Sequence, residues 1–297
     1  MRRVILLIFL LAPLVVMPAA EKPGVKVFIS VDMEGICGVV HADQTTAGTP
    51  DYNAARQWMA EDVNAVVRGL LEAGATEIVV NDSHGSMRNI IPDDLLPAAA
   101  LISGTPKPLS MMAGIDSSFQ ACVFIGYHAR AGTPDAVLDH TISGGNVHSI
   151  RVNGLEMPEL GLNAAIAGCF DVPVIMLSGD NAVCGQARAM LGDRLTTVAV
   201  KEAIGRNAAR LVPFSEARKQ LQQSAREALL KYKQGIPFKP KPPFTFELSF
   251  LNSGMAETGE LLPMVKRVDG RRLRFTTGDY LEGFKILRAL IALASAR

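Results

Sequence analysis

The chain has 297 residues, of which 20% are charged and 48% hydrophobic, enough apolar material for one large globular domain with or without a smaller companion. Its formal net charge of +1 removes nucleic acid as the default partner and gives no bias towards an anionic membrane surface.

Arg2 and Arg3 precede an almost unbroken apolar run, Val4 to Met17, and Pro18-Ala19-Ala20 then leads into Glu21-Lys22. This order of positive start, apolar stretch and small residues is that of a secretory signal, expected over 1–20. The run is short for a spanning helix, so no stable membrane insertion is expected after cleavage and the mature protein is expected in the periplasm or outside the cell. Cys37, Cys122, Cys169 and Cys184 show neither zinc-knuckle nor redox-pair spacing and are expected as buried free thiols.

Val25 to Val31 is β-prone and apolar on both faces, as in a buried parallel strand. Thr49-Pro50 reads as an N-cap followed by a first-turn proline. Apolar residues from Ala55 to Leu71 then recur at helical steps until Gly74. Strands are expected at Glu77–Val80 and Ala121–Ile125, a helix near Pro158–Gly168, a strand at Val172–Leu177, a helix at Asn181–Leu191 and a strand at Thr196–Val200. Strands alternating with helices predict an α/β fold, a mostly parallel sheet flanked by helices. A long helix follows near Phe214–Lys233. Pro237, Pro240, Pro242 and Pro243 then make a stiff connector, and the remainder has two strand-like runs and a terminal helix from about Asp279. The expected division is a catalytic α/β domain over 21–205 and a smaller C-terminal α+β domain over 206–297.

Polar residues cluster where these strands end. The first strand runs into Asp32-Met33-Glu34-Gly35, the second into Asn81-Asp82-Ser83-His84 and the third into Gly126-Tyr127-His128. In open parallel sheets ligands bind outside the carboxyl ends of the strands. Asp32 and Glu34, two apart in an extended segment, are expected to point the same way. Carboxylates and imidazoles together suit zinc or a similar divalent ion. Asp82 reads first as a turn cap and second as an acceptor orienting His84. On pattern alone His140 is a solvated loop residue, and Glu159 is a first-turn charge that favours the helix dipole.

The strings Ser30-Val31-Asp32-Met33-Glu34-Gly35, Val80-Asn81-Asp82-Ser83-His84 and Gly126-Tyr127-His128-Ala129-Arg130-Ala131 resemble those of the bacterial D-aminopeptidase family. So do Leu101-Ile102-Ser103-Gly104, Pro158-Glu159-Leu160-Gly161-Leu162-Asn163 and Asn252-Ser253-Gly254-Met255-Ala256-Glu257. The similarity runs in order from about Val25 to the C-terminus. The resemblance implies a two-zinc centre with Asp32 bridging and with Glu34, His84, His128 and Glu159 completing the ligand set. It also implies a catalytic role for His140, although the His128–His140 spacing is one residue longer than the family pattern. A signal sequence is a further departure.

The expected activity is metal-dependent release of the N-terminal D-residue from short peptides of the D-Ala-D-Ala type by a di-zinc-activated water. His140 is then expected to donate a proton or stabilise the oxyanion rather than to act as nucleophile. The family's assembly implies a homo-oligomer, with a decamer as its form. Two other classes fit the residues alone: a di-metal hydrolase of L-peptides, amides or phosphoesters, and an exported peptide- or metal-binding protein without catalysis.

Overall fold

Strand β1 (Val25–Val31) shows why one short segment organises two cores. Val27, Ile29 and Val31 face one hydrophobic cluster, and Phe28, one residue out of phase, faces the other. Such alternation with both faces apolar demands cover on each side. The computed structural model describes residues 24–296. The expected signal at Met1–Ala20 lies outside the described residues.

The chain continues through α1 (Tyr52–Glu72), β2 (Ala75–Asp82), β3 (Ala99–Ile102), β4 (Ala121–Tyr127), β5 (Val147–Val152) and β6 (Leu155–Glu156). Next come α2 (Glu159–Cys169), β7 (Val174–Asp180), α3 (Asn181–Leu191), β8 (Thr196–Gly205), β9 (Ala208–Leu211) and α4 (Phe214–Leu230). The last part holds β10 (Phe244–Phe250), α5 (Ser253–Gly259), β11 (Lys266–Arg267), β12 (Arg272–Thr277) and α6 (Tyr280–Ser295). A seven-stranded sheet has the order β3-β2-β1-β4-β7-β8-β9 and is parallel except for the β8–β9 pair. The mixed α/β class with a mostly parallel sheet is as expected. Helices α1 and α4 pack together over one face. Over the other lie α2, α3 and a five-stranded antiparallel sheet of order β11-β12-β10-β5-β6.

The second sheet is not drawn from the C-terminal part alone, since β5 pairs with β10. The boundary expected at 205/206 falls in the turn of the β8–β9 hairpin. Counting only its parallel strands, the large sheet grows outward from β1 in one direction through β2 and β3, and in the other through β4, β7 and β8. The connections therefore reverse between β1 and β4, and a crevice opens there at the carboxyl ends.

Several local expectations change. Asp51, without a side-chain cap bond, occupies the N-cap of α1, because the Thr49 hydroxyl is spent on the Asp43 and Thr46 carbonyls. Cys169 is exposed near the end of α2, unlike the buried Cys37, Cys122 and Cys184. Among the described residues no helix is long and apolar enough to cross a membrane.

Candidate metal centre

Two glycines let the ends of β1 and β4 cross closely at the crevice. Asp32 N–H donates to the Ile125 carbonyl at 2.8 Å and Gly35 N–H to that of Gly126 at 2.7 Å. A Cβ on Gly35 would overlap the Tyr127 carbonyl, and one on Gly126 (φ +68°) would overlap that of Asp32. Only glycine permits this approach. The backbone turns directly after Val31, with Ile36 N–H donating to the Met33 carbonyl. Asp32 and Glu34 thus reach one site through a turn, not through the strand alternation expected from their spacing.

The buried Asp32 carboxylate is shared between two imidazoles. Its Oδ1 lies 3.2 Å from Nδ1 of His84 and its Oδ2 lies 3.4 Å from Nε2 of His128. Glu34 Oε2 is 3.0 Å from His84 Nδ1, and Glu159 Oε1 is 3.2 Å from His128 Nε2. His140 stacks on His128, with ring centroids 3.9 Å apart and planes 11° from parallel. Its Nε2 lies 3.6 Å from Glu159 Oε1. The structure therefore brings Asp32, Glu34, His84, His128, His140 and Glu159 together, and the solvated-loop reading of His140 gives way.

All three imidazoles are held alike. His84 Nε2 lies 2.8 Å from the Thr45 carbonyl, His128 Nδ1 3.0 Å from that of Ala129, and His140 Nδ1 2.9 Å from that of Leu138. A carbonyl only accepts, so each of these nitrogens carries the proton. The opposite nitrogen of each ring is left facing the carboxylates, and His128 Nε2 is a buried atom with no hydrogen-bond partner. Carbonyl-oriented imidazoles beside carboxylates are the arrangement that holds a divalent ion. Ligand atoms of Asp32, Glu34 and His128, and of His128, His140 and Glu159, converge within 4.8 Å of one another.

Opposite charges packed together dominate the site. Burial pushes the Glu34 carboxyl up, but the His84, His140 and His128 rings together outweigh it and leave it well below the usual glutamate range. Glu159 likewise falls to about 2, burial being overcome by His128, His140 and the Ile142 N–H. Asp32 is raised by burial and by the neighbouring Glu34 charge. Burial lowers His84 and His128, yet the surrounding carboxylates bring both well above the ordinary histidine value.

Asp82 does not touch the His84 ring. It accepts from the N–H groups of Asn89 and Ile90 and from the Asn89 amide, and so pins the loop that carries His84. His41 caps a short turn and is exposed, and His148 is exposed at the edge of the neighbouring cavity. Lys201 of β8 escaped the sequence reading. It is 1% exposed and donates to the carbonyls of Glu34 at 2.6 Å, Ile36 at 3.0 Å and Val39 at 2.5 Å. Burial pulls its ammonium down to about 8, opposed by Asp180 and other nearby acids.

A cavity of about 150 Å³ is lined by Asp32, His84, His140, Glu159, Ser110 and Arg288. His140 also borders a wider one of about 560 Å³ that includes Arg130, Arg206 and His148.

Acids and imidazoles gathered at the switch point of a doubly wound sheet make this a protein of the α/β class with a candidate metal site. The D-aminopeptidase family profile matches residues 25–289. A D-aminopeptidase of Bacillus subtilis (strain 168) is 36% identical over 270 residues, covering 91% of this chain and 97% of its own length. The solved Zn-dependent D-aminopeptidase DppA from Bacillus subtilis, described as a self-compartmentalizing protease, superposes with a TM-score of 0.89. It is 35% identical, with 92% of this chain and 98% of that chain covered. The chain belongs to the D-aminopeptidase family and is an enzyme of the peptidase class.

Proposed function

We propose that this protein is a zinc-dependent aminopeptidase that releases the N-terminal D-residue of short peptides such as D-Ala-D-Ala, using two divalent ions. The observation that carries the reading is the division of Asp32, one carboxylate oxygen towards His84 and the other towards His128. Glu34 and His84 would hold one ion, His128 and Glu159 the other, with Asp32 between them. The donor set fits, because each imidazole spends one nitrogen on a carbonyl and turns the other towards the carboxylates. Bound ions of this kind polarise a peptide carbonyl and bring the pKa of water towards neutrality.

The chain's own residues supply the rest. His140 Nδ1 is committed to the Leu138 carbonyl, so Nε2 is the atom that takes and returns a proton. Stacking on His128 keeps the ring from turning away. Nε2 therefore stays at the cavity, where it donates to the leaving amine or to the developing oxyanion. Preference for D-residues is supported by family membership and by the named activity of the Bacillus subtilis relatives. The self-compartmentalizing description of DppA supports a homo-oligomer here, and we propose the decamer implied by the sequence resemblance. The pattern at Met1–Ala20 supports export, which would place the enzyme among peptidoglycan fragments.

The deciding experiment is chiral detection of alanine released from D-Ala-D-Ala and from L-Ala-L-Ala, before chelation, after it, and with zinc restored. Zinc-restored release from the D-peptide alone is expected. Release mainly from the L-peptide would discard the stereochemical claim, and release from neither by folded, zinc-loaded protein would discard the aminopeptidase.

A further inference from the structure

The cations around the cavity are not equivalent. Arg130 is paired with Glu156 and Arg206 with Asp139, so the two guanidiniums of the wider cavity are already engaged. Arg288, on α6, lines the smaller cavity with Ser110 and the acids Asp32 and Glu159. It is half-buried, and among the described residues nothing hydrogen-bonds or ion-pairs with its guanidinium. Glu159 acts on it through space, but that carboxylate already takes the Ile142 N–H at 2.5 Å and faces His128 and His140.

Ser110 gives a second, independent observation. It is 4% exposed, and its Oγ is a buried polar atom without a hydrogen-bond partner. Its backbone is held at φ +51°, a region costly for a residue with a side chain. The Asn81 amide on its carbonyl and the Lys107 carbonyl on its N–H tie it down. An unpaired hydroxyl and an unpaired guanidinium thus line one chamber of about 150 Å³. The buried hydroxyl calls for a partner, and the half-buried guanidinium beside it offers a planar fork of N–H groups that matches a carboxylate.

We propose that Arg288 and Ser110 receive the C-terminal carboxylate of a dipeptide and so make the enzyme select the free acid over a dipeptide whose carboxyl group is amidated. This rests on the aminopeptidase reading above. In a dipeptide the terminal carboxylate is one residue from the scissile amide, which suits a chamber shared by the acids, His140 and Arg288.

The test compares D-Ala-D-Ala with its C-terminal amide, using zinc-loaded wild type, Arg288→Met, Arg288→Lys and Ser110→Ala. Wild type is expected to favour the free acid in kcat/KM. Arg288→Met should lose about 100-fold on the acid and little on the amide, as for a lost charge-assisted pair. Arg288→Lys should recover part of the preference, and Ser110→Ala should lose less, chiefly in KM. Calorimetric titration of acid and amide into the same zinc-loaded proteins carrying His140→Ala reads the preference with turnover suppressed. Equal treatment of the two peptides by wild type overturns the proposal. Equal loss on both in Arg288→Met also overturns it and assigns Arg288 to the oxyanion or to the fold. Should wild type cleave neither peptide, the aminopeptidase reading fails, and the calorimetric difference between acid and amide alone decides this one.

Discussion

His84 and His128 sit among carboxylates that raise both imidazoles well above their ordinary value. In metal-free protein that direction favours the charged rings, whereas a ligand imidazole must be neutral. Zinc entry must expel those protons, so affinity falls as pH falls. Titration calorimetry in buffers of different ionisation heat should read net proton release on zinc binding, larger at lower pH; heat independent of buffer would contradict the assignment. His140 stands apart, for the role proposed for it is in turnover. Replacing it with alanine should lower kcat by about 100- to 10,000-fold with zinc content by elemental analysis unchanged, and near-full turnover would remove every catalytic role for it. Asp32, Glu34, His84 and His128 were legible because polar residues directly after apolar strands are conspicuous. Glu159 was not legible by pattern, since an acid behind Pro158 in a first helical turn serves the dipole equally well. Arg288 gave no signal at all, being one charge on an amphipathic helix.

The elements that hold the centre were legible wherever periodicity was strong. Val25–Val31 and Asn181–Leu191 were read to the residue, while the short β3, β6 and β9 carry too few residues for alternation to register. Lys201 was hidden by a change of phase. Val198 and Val200 are buried, a register shift follows opposite Asp180, and Lys201 and Ala203 are then buried instead. Its ammonium serves the carbonyls of the turn that carries Glu34. Lys201→Met leaves those carbonyls unpaired and should destabilise by about 1–3 kcal/mol, read as a lower Tm, and should weaken zinc binding. Unchanged zinc affinity would limit Lys201 to stability. Gly126→Ala puts a methyl group against the Asp32 carbonyl at positive φ and should cost more than about 2 kcal/mol. Its thermal melt should fall below that of an alanine at Gly48, where a Cβ meets nothing within 4 Å.

For the whole molecule, the alternation of strands and helices was enough to establish the sheet, and the three strand ends were enough to find its active edge. The joining of the second sheet was not legible, because β5 and β10 lie far apart in sequence and neither announces its partner. If the chain assembles as proposed, light scattering of the purified mature protein should return an integral multiple of a chain somewhat lighter than the full 31.8 kDa, the decamer being the expected multiple. A single-chain mass at micromolar concentration would contradict it.

Arg288 arrives on the final helix, long after Asp32, His84, His128 and Glu159 have been made. A nascent or prematurely terminated chain that stops before α6 carries every acid and imidazole of the centre but lacks one wall. Removing α6 would strip Phe284, Leu287 and Leu290 from the core together with Arg288 from the chamber, so the proposed discrimination between peptides and the stability of the fold would be lost in one cut.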